Sequence, residues 1–325
     1  MTYPQVYTIM ERIEFIRTLS LTCFGASALG FSQNNTKNLK NLSNSFSNKP
    51  LKLSLAQWSL NKSINQGLTD PYEFARLAHQ YGFVGLEYVT QLYREIYNCK
   101  VKSKAIKNFV KKSNAEAKKY GLENVLLMVD EEGNLAEPNQ NSRLVAVENH
   151  KRWVDAAAAM GCSAIRVNLF GSLSPNKWKV CSQESLLALS DYAGKTDVKI
   201  LVENHGGLSS NAKLLMEVIN GVNASNCGTL PDFGNFCVEH QGDTCLKSYD
   251  KYLGVSELLP NAGAVSAKSY DFDTMGNETT IDYKKMLAIV NASGYSGYIG
   301  VEYEGNRLSE EAGILSTKRL IEKYL

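Results

Sequence analysis

Residues 263–273 read GAVSAKSYDFD. Small and branched side chains open the stretch as a buried strand would, and Lys268, Asp271 and Asp273 then stand where an ordinary core holds nothing charged. A strand covered on both faces that nevertheless ends in charge belongs to a sheet whose strand ends open onto a site.

Outward from this stretch the pattern repeats. Short apolar runs occur at LKLSLAQ (51–57), FVGLEY (83–88), NVLLMVD (124–130), SAIRVN (163–168), KILVEN (199–204), CGTLPD (227–232), GAVSAK (263–268) and YIGVEY (298–303). Helical patterns separate them. DPYEFARLAHQYG opens on an Asp cap with Pro71 in the first turn and stops at Gly82, and NSRLVAVENHKRWVDAAAAMG stops at Gly161. Similar patterns fall near 103–120, 182–194, 209–220, 282–292 and 310–324. Eight nearly continuous apolar strands alternating with helices predict an α/β fold, a single-domain (β/α)₈ TIM barrel over residues 51–325. An open doubly wound sheet that binds a dinucleotide is disfavoured, because no GxGxxG follows the first strand.

The first fifty residues differ in character. Arg12 and Arg17 precede the apolar run LSLTCFGASALGF, which is too short to span a bilayer, and QNNTKNLKNLSNSFSNKP follows as a polar linker. Residues 1–33 are therefore expected to be an export signal and 34–50 a linker, giving a periplasmic or exported protein. ERIEFIRTLSL resembles a degenerate twin-arginine signal with Ile13 in place of the second arginine, and a Sec signal fits equally. The competing reading is an N-terminal extension on a cytoplasmic protein. Cys23 follows Leu-Thr rather than the small residues of a lipoprotein signal.

Composition narrows the partners. With 44% hydrophobic and 21% charged residues and a net charge of +2, the chain has an ordinary globular balance and no basic field to draw nucleic acid. A homo-oligomer is compatible with the sequence. The cysteines show no CxxC or metal-finger spacing, although Cys227, Cys237 and Cys245 lie close enough for one bridge.

In a barrel of this kind the residues that finish the strands point into the catalytic mouth: Gln57, Glu87, Asp130, Asn168, Glu203, Asp232, Lys268 and Glu302. So many carboxylates in one concavity require a divalent cation or a cationic side chain, Lys268 and Arg166 being the candidates.

ILVENHGG with Glu203, LPDFGN with Asp232 and GYIGVEYEG with Glu302 resemble the fifth, sixth and eighth strand ends of the xylose-isomerase-like sugar isomerases and epimerases, the sugar phosphate isomerase/epimerase superfamily. The resemblance implies a divalent metal held by Glu203, Asp232 and Glu302, with the two glutamates also moving protons. A set of carboxylates and waters suits Mn²⁺ first and Mg²⁺ second, rather than zinc. The family's usual histidine on the seventh strand is missing: Ser266 stands in its place, two residues before Lys268.

The chemistry open to such a site is proton transfer at a carbon next to a carbonyl, with Glu203, Glu302 and Lys268 as catalytic groups. His205, Arg166, Asn168, Ser266, Asn235 and Trp58 are expected to contact the substrate. No Gly-rich phosphate cradle or Arg cluster stands in the sequence. The expected function is isomerisation or epimerisation of an unphosphorylated sugar or keto-sugar. A lyase or dehydratase acting on a 3-keto-glycoside would share the same enolate, and a barrel that only binds carbohydrate is the reading of a different class. An endonuclease on the same fold is disfavoured by a total of four histidines.

Overall fold

A computed structural model of the protein describes residues 52–325. The expected export segment (1–33) and linker (34–50) lie outside the described residues.

Eight parallel strands form one sheet: β1 (Lys52–Ala56), β2 (Gly85–Val89), β3 (Glu123–Met128), β4 (Ala164–Val167), β5 (Lys199–Glu203), β6 (Cys227–Leu230), β9 (Val265–Ser269) and β10 (Tyr298–Tyr303). The antiparallel pair β7 (Cys237–Gln241) and β8 (Thr244–Ser248) is a separate hairpin inserted after β6. Each barrel strand is followed by one principal helix: α1 (Phe74–Gln80), α2 (Lys102–Tyr120), α3 (Gln140–Met160), α4 (Pro175–Ala193), α5 (Ala212–Val222), α6 (Lys251–Leu258), α7 (Tyr283–Ala292) and α8 (Glu310–Tyr324).

Neighbouring strands pair in the order β6-β5-β4-β3-β2-β1-β10-β9. The seam between β6 and β9 is closed by the isolated bridges Thr229 to Ala262 and Asp232 to Ser266, with Phe233 N donating to the Ser266 carbonyl at 3.1 Å. The sheet therefore returns on itself. Side chains from the helices, among them Phe109 on α2, Trp153 on α3, Trp178 on α4 and Ile314 on α8, are buried against the outer face of the strands.

Local chemistry explains where the helices begin. Asn139, Asn211, Asp250, Asp282 and Ser309 each accept a backbone N–H from the first turn of α3, α5, α6, α7 and α8 respectively. Asp70 does the same for Tyr72 N at 2.9 Å, opening a 3₁₀ turn at Pro71–Glu73 that leads into α1. Helix α4 starts well before the expected position near 182, at Pro175, whose ring suits the first helical residue.

Besides short helical turns such as Asn61–Asn65 and Arg94–Tyr97, two elements were not expected, α6 and the hairpin. The hairpin is exposed and carries a disulfide between Cys237 and Cys245, with Cα atoms 5.8 Å apart, the bridge that the cysteine spacing allowed. Among the described residues no helix is long and apolar enough to cross a membrane.

Candidate active site

The strand register builds the site. On β9 and β10 Lys268 lies beside Glu302, and Ser266 beside Gly300. Because alternate strand residues share a face, Ser266 and Lys268 both point inward. The Lys268 ammonium donates to Glu302 Oε1 at 2.7 Å and lies 3.2 Å from Glu304 Oε2 and 3.9 Å from Asp232 Oδ2. The Ser266 hydroxyl donates to Asp232 Oδ2 at 2.7 Å and reaches Glu302 Oε2 at 3.2 Å.

Asp232 lies just beyond β6 and is fixed by its own loop, its Oδ1 accepting the backbone N–H groups of Gly234 at 2.8 Å and Asn235 at 2.7 Å. Asn235 turns its side chain back, donating to Glu203 Oε1 at 3.0 Å. The other oxygen of Glu203 faces an arginine and a histidine. Arg166 Nε stands 2.9 Å away, too poorly aligned for a hydrogen bond, and His205 Nδ1 stands 3.2 Å away. Arg166 Nη1 and Asn168 Nδ2 then both donate to Asp130 Oδ1 at 2.8 Å. At the opposite end of the chain Trp58 Nε1 donates to Glu304.

All ten site residues expected from the sequence thus fall in one connected network, running from Trp58 through Glu304, Lys268, Glu302, Ser266, Asp232, Asn235 and Glu203 to His205, Arg166 and Asn168. Two neighbouring expectations fail. Gln57 is buried and tied to Tyr93 OH, the Pro71 carbonyl and Val89 N, and Glu87 is sealed within the barrel; neither reaches the mouth.

Three residues were not foreseen. Glu304 follows Glu302 at the two-residue spacing that keeps a strand's side chains on one face, which was the available signal. Asn204 accepts from Asp232 N at 2.8 Å and donates to the carbonyls of Asp232 and Asn235, pinning the loop after β6 to the end of β5. His240, from the hairpin, joins His205, Phe170 and Leu208 in the wall of a cavity of about 270 Å³. Of the network only His205 lines that cavity; the side chains of His205 and Glu304 are 39% and 28% exposed, while Lys268 is 2% exposed.

Charge states follow from these surroundings. Burial works against ionisation of Glu203, but His205 and then Arg166 outweigh it and hold the carboxyl well below its usual range. Burial pushes Glu302 upward, and the neighbouring carboxylates of Glu203, Glu304 and Asp232 add to that against the opposing pull of Lys268. Burial disfavours charge on Lys268, yet Glu302, Asp232 and Glu304 overcome it, so the amine keeps its proton.

The three-carboxylate metal site implied by the resemblance is not assembled in this arrangement. All six oxygens of Glu203, Asp232 and Glu302 already face a donor or cation of the protein. Among the described residues no group of three His, Cys, Asp or Glu side chains is placed to hold a metal ion. The donor set does not fit a divalent cation while Lys268 stands within it.

No curated protein matches the chain. Solved structures do. The Escherichia coli 3-keto-D-glucoside 4-epimerase in its apo form superposes with a TM-score of 0.63 at 17% identity, covering 83% of this chain and 98% of that one. The D-allulose 3-epimerase from Methylomonas sp. gives 0.64 at 14% identity, with 85% and 98% covered. The IolI protein with a bound zinc atom gives 0.62 at 15% identity, with 85% and 99% covered. At these identities the likeness establishes the shared fold. The family profile of xylose isomerase-like TIM barrels matches residues 75–324, nearly the whole barrel. The chain belongs to the xylose isomerase-like TIM barrel family.

Proposed function

We propose that this protein is an isomerase or epimerase of an unphosphorylated keto-sugar, working by proton transfer at a carbon next to a carbonyl. The observation that carries the reading is the unequal pair Glu203 and Glu302. These buried carboxylates come from barrel strands three apart, one held ionised and the other pushed towards its protonated form. Two carboxyl groups whose surroundings drive them to opposite charge states are suited to opposite halves of an acid-base reaction. Glu203 would remove the proton, breaking C–H and moving the electron pair towards the carbonyl oxygen. Glu302 would return a proton to the resulting enediolate, at the same carbon for an epimer, or at its neighbour for the shifted ketose, where the hydroxyl proton also passes from one enediolate oxygen to the other.

The remaining groups suit a polyhydroxylated ligand. Asn168 Oδ1 is buried without a hydrogen-bond partner among the described residues, an acceptor a substrate hydroxyl would satisfy. Trp58, bonded to Glu304, and His205, beside Glu203, offer ring surface for a sugar face. A phosphate dianion would face Asp130, Glu203, Asp232, Glu302 and Glu304 with only Arg166 and Lys268 built in against them, which favours an uncharged substrate. The keto-sugar epimerases of the same fold support this substrate class.

The test is solvent deuterium incorporation into candidate ketoses and keto-glycosides. Glu203→Gln and Glu302→Gln should each slow exchange at least ~100-fold while the far-UV circular dichroism stays native. Exchange at the wild-type rate in both variants would remove the reading.

A further inference from the structure

Two features of the seventh barrel strand belong together. Ser266 occupies the position where the resemblance places a metal-binding histidine, and its hydroxyl stands instead between Asp232, at 2.7 Å, and Glu302, at 3.2 Å. Two residues on, Lys268 brings its side-chain nitrogen into the same cluster, within 3.9 Å of three carboxylates contributed by the loop after β6 and by β10 and its following loop. A buried ammonium is tolerated only where it is paired, and here the pairing is threefold. A divalent ion set on Asp232 and Glu302 would have to displace this ammonium or lie against it, like charge beside like charge in a site shielded from water. With the neutral ligand lost at Ser266, the ammonium of Lys268 is the cation seated among these carboxylates.

We infer that Lys268 supplies the cation of this site in place of a divalent metal, so that the protein handles its substrate without a bound metal ion. The inference deepens the proposed function and shares its site. In this arrangement Lys268 is a positioning residue. It holds Glu302 and Glu304 in place and offsets the negative charge that gathers when a proton leaves the substrate. The substrate class would then be limited to sugars whose α-proton is already acidic, with a free ketone next to the reacting carbon, because a single lysine stabilises an enolate less than a divalent ion coordinating two oxygens does.

Elemental analysis tests this without any assay of turnover. Wild-type protein is dialysed against Mn²⁺ and, separately, against Zn²⁺, then against metal-free buffer, beside Asp232→Asn and the double variant Ser266→His, Lys268→Met. The double variant restores the imidazole and removes the ammonium. Wild type should retain well under one equivalent of either metal and melt at the same temperature with and without a chelator. The double variant should gain close to one equivalent and melt higher with metal than with chelator. Wild-type protein holding stoichiometric metal that Asp232→Asn loses would overturn the inference. A folded double variant that stays metal-free would overturn it as well, since the lysine would then not stand in a latent metal site. Neither result depends on deuterium exchange, so the proposed reaction and the identity of its cation fail separately.

Discussion

Glu87 places its carboxyl inside the barrel, 1% exposed, with one hydrogen bond from Ser54 Oγ at 2.6 Å. Its oxygens pack so tightly over Gly300 that a Cβ there would fall 2.5 Å from them. Burial, reinforced by the negative charges of Glu302 and Glu203, pushes the carboxyl up to about 8, so the side chain is neutral at pH 7. The ordinary value is 4.5. Between those two values the folded protein keeps a proton that the unfolded chain releases. The stabilisation is therefore complete below the lower value and is lost as pH rises through the upper one, at up to ~1.4 kcal/mol per pH unit. Glu87→Gln should remove this slope. In urea unfolding at pH 5, 6, 7 and 8, the wild type should weaken relative to the variant at each step, and parallel curves would contradict the assignment. From the sequence Glu87 looks like a residue facing the mouth, because the apolar run stops at Tyr88. The strand continues to Val89 and carries the site end past it. A strand end displaced by one or two residues changes which layer of the barrel a side chain joins, and apolar periodicity does not resolve that step. The residues that form the site were legible for the complementary reason. A carboxylate, amide or lysine closing a run of core residues is expensive unless it is used, so it stands out.

At the scale of elements, the seam between β6 and β9 depends on close approach. A Cβ at Gly228 would fall 2.4 Å from the carbonyl oxygen of Asn261, whereas one at Gly263 would meet only the end of the Leu201 side chain, 2.6 Å away. Backbone yields less readily than a side chain. Gly228→Ala should therefore destabilise the fold by about 1–3 kcal/mol, and Gly263→Ala by distinctly less. Chemical unfolding of the two variants decides it, and equal losses would mean that the seam is looser than its hydrogen bonds suggest. Neither the seam nor the elements beside it were visible in the sequence. Helix α6 is short and is interrupted by Gly254, which is required because a Cβ there would lie 2.2 Å from the Phe236 ring. Tertiary packing thus overrides a helix-forming pattern. The hairpin has no buried face, so it lacks the alternation by which strands are found. Its one local signal was the pair Gly242-Asp243 at the turn, with Gly242 at a φ of 57°. The β/α alternation elsewhere was legible because each barrel strand is covered on both faces and five of the eight principal helices open on a side-chain cap.

Across the whole molecule the site and the closure of the barrel are one structure. The polar network crosses from β4 and β5 through the loop after β6 to β9 and β10, and so spans the seam where regular strand pairing gives way to isolated bridges. Lys268 is its pivot, bonded to Glu302 on the adjacent strand and close to Asp232 across the seam. Replacing the lysine with methionine preserves the length of the side chain but leaves the buried carboxyls of Asp232 and Glu302 without their cation, with the partly exposed Glu304 beside them. Removing one partner from such a buried arrangement costs ~3–5 kcal/mol, a large share of the 5–15 kcal/mol that holds a typical domain together. Adding Glu302→Gln to Lys268→Met removes the principal stranded charge, and the double variant should recover ~1–3 kcal/mol of that loss. Denaturant midpoints of the wild type, the two single variants and the double variant complete the cycle. If Lys268→Met shifts stability no more than an exposed substitution does, within about 0.5 kcal/mol, then the bridges and the apolar shell alone close the barrel. If the expected coupling appears, the charge that positions the acid-base pair also holds the last strands in register. Substitutions that retune the chemistry of this site would then be bounded by what the seam can lose before the barrel opens.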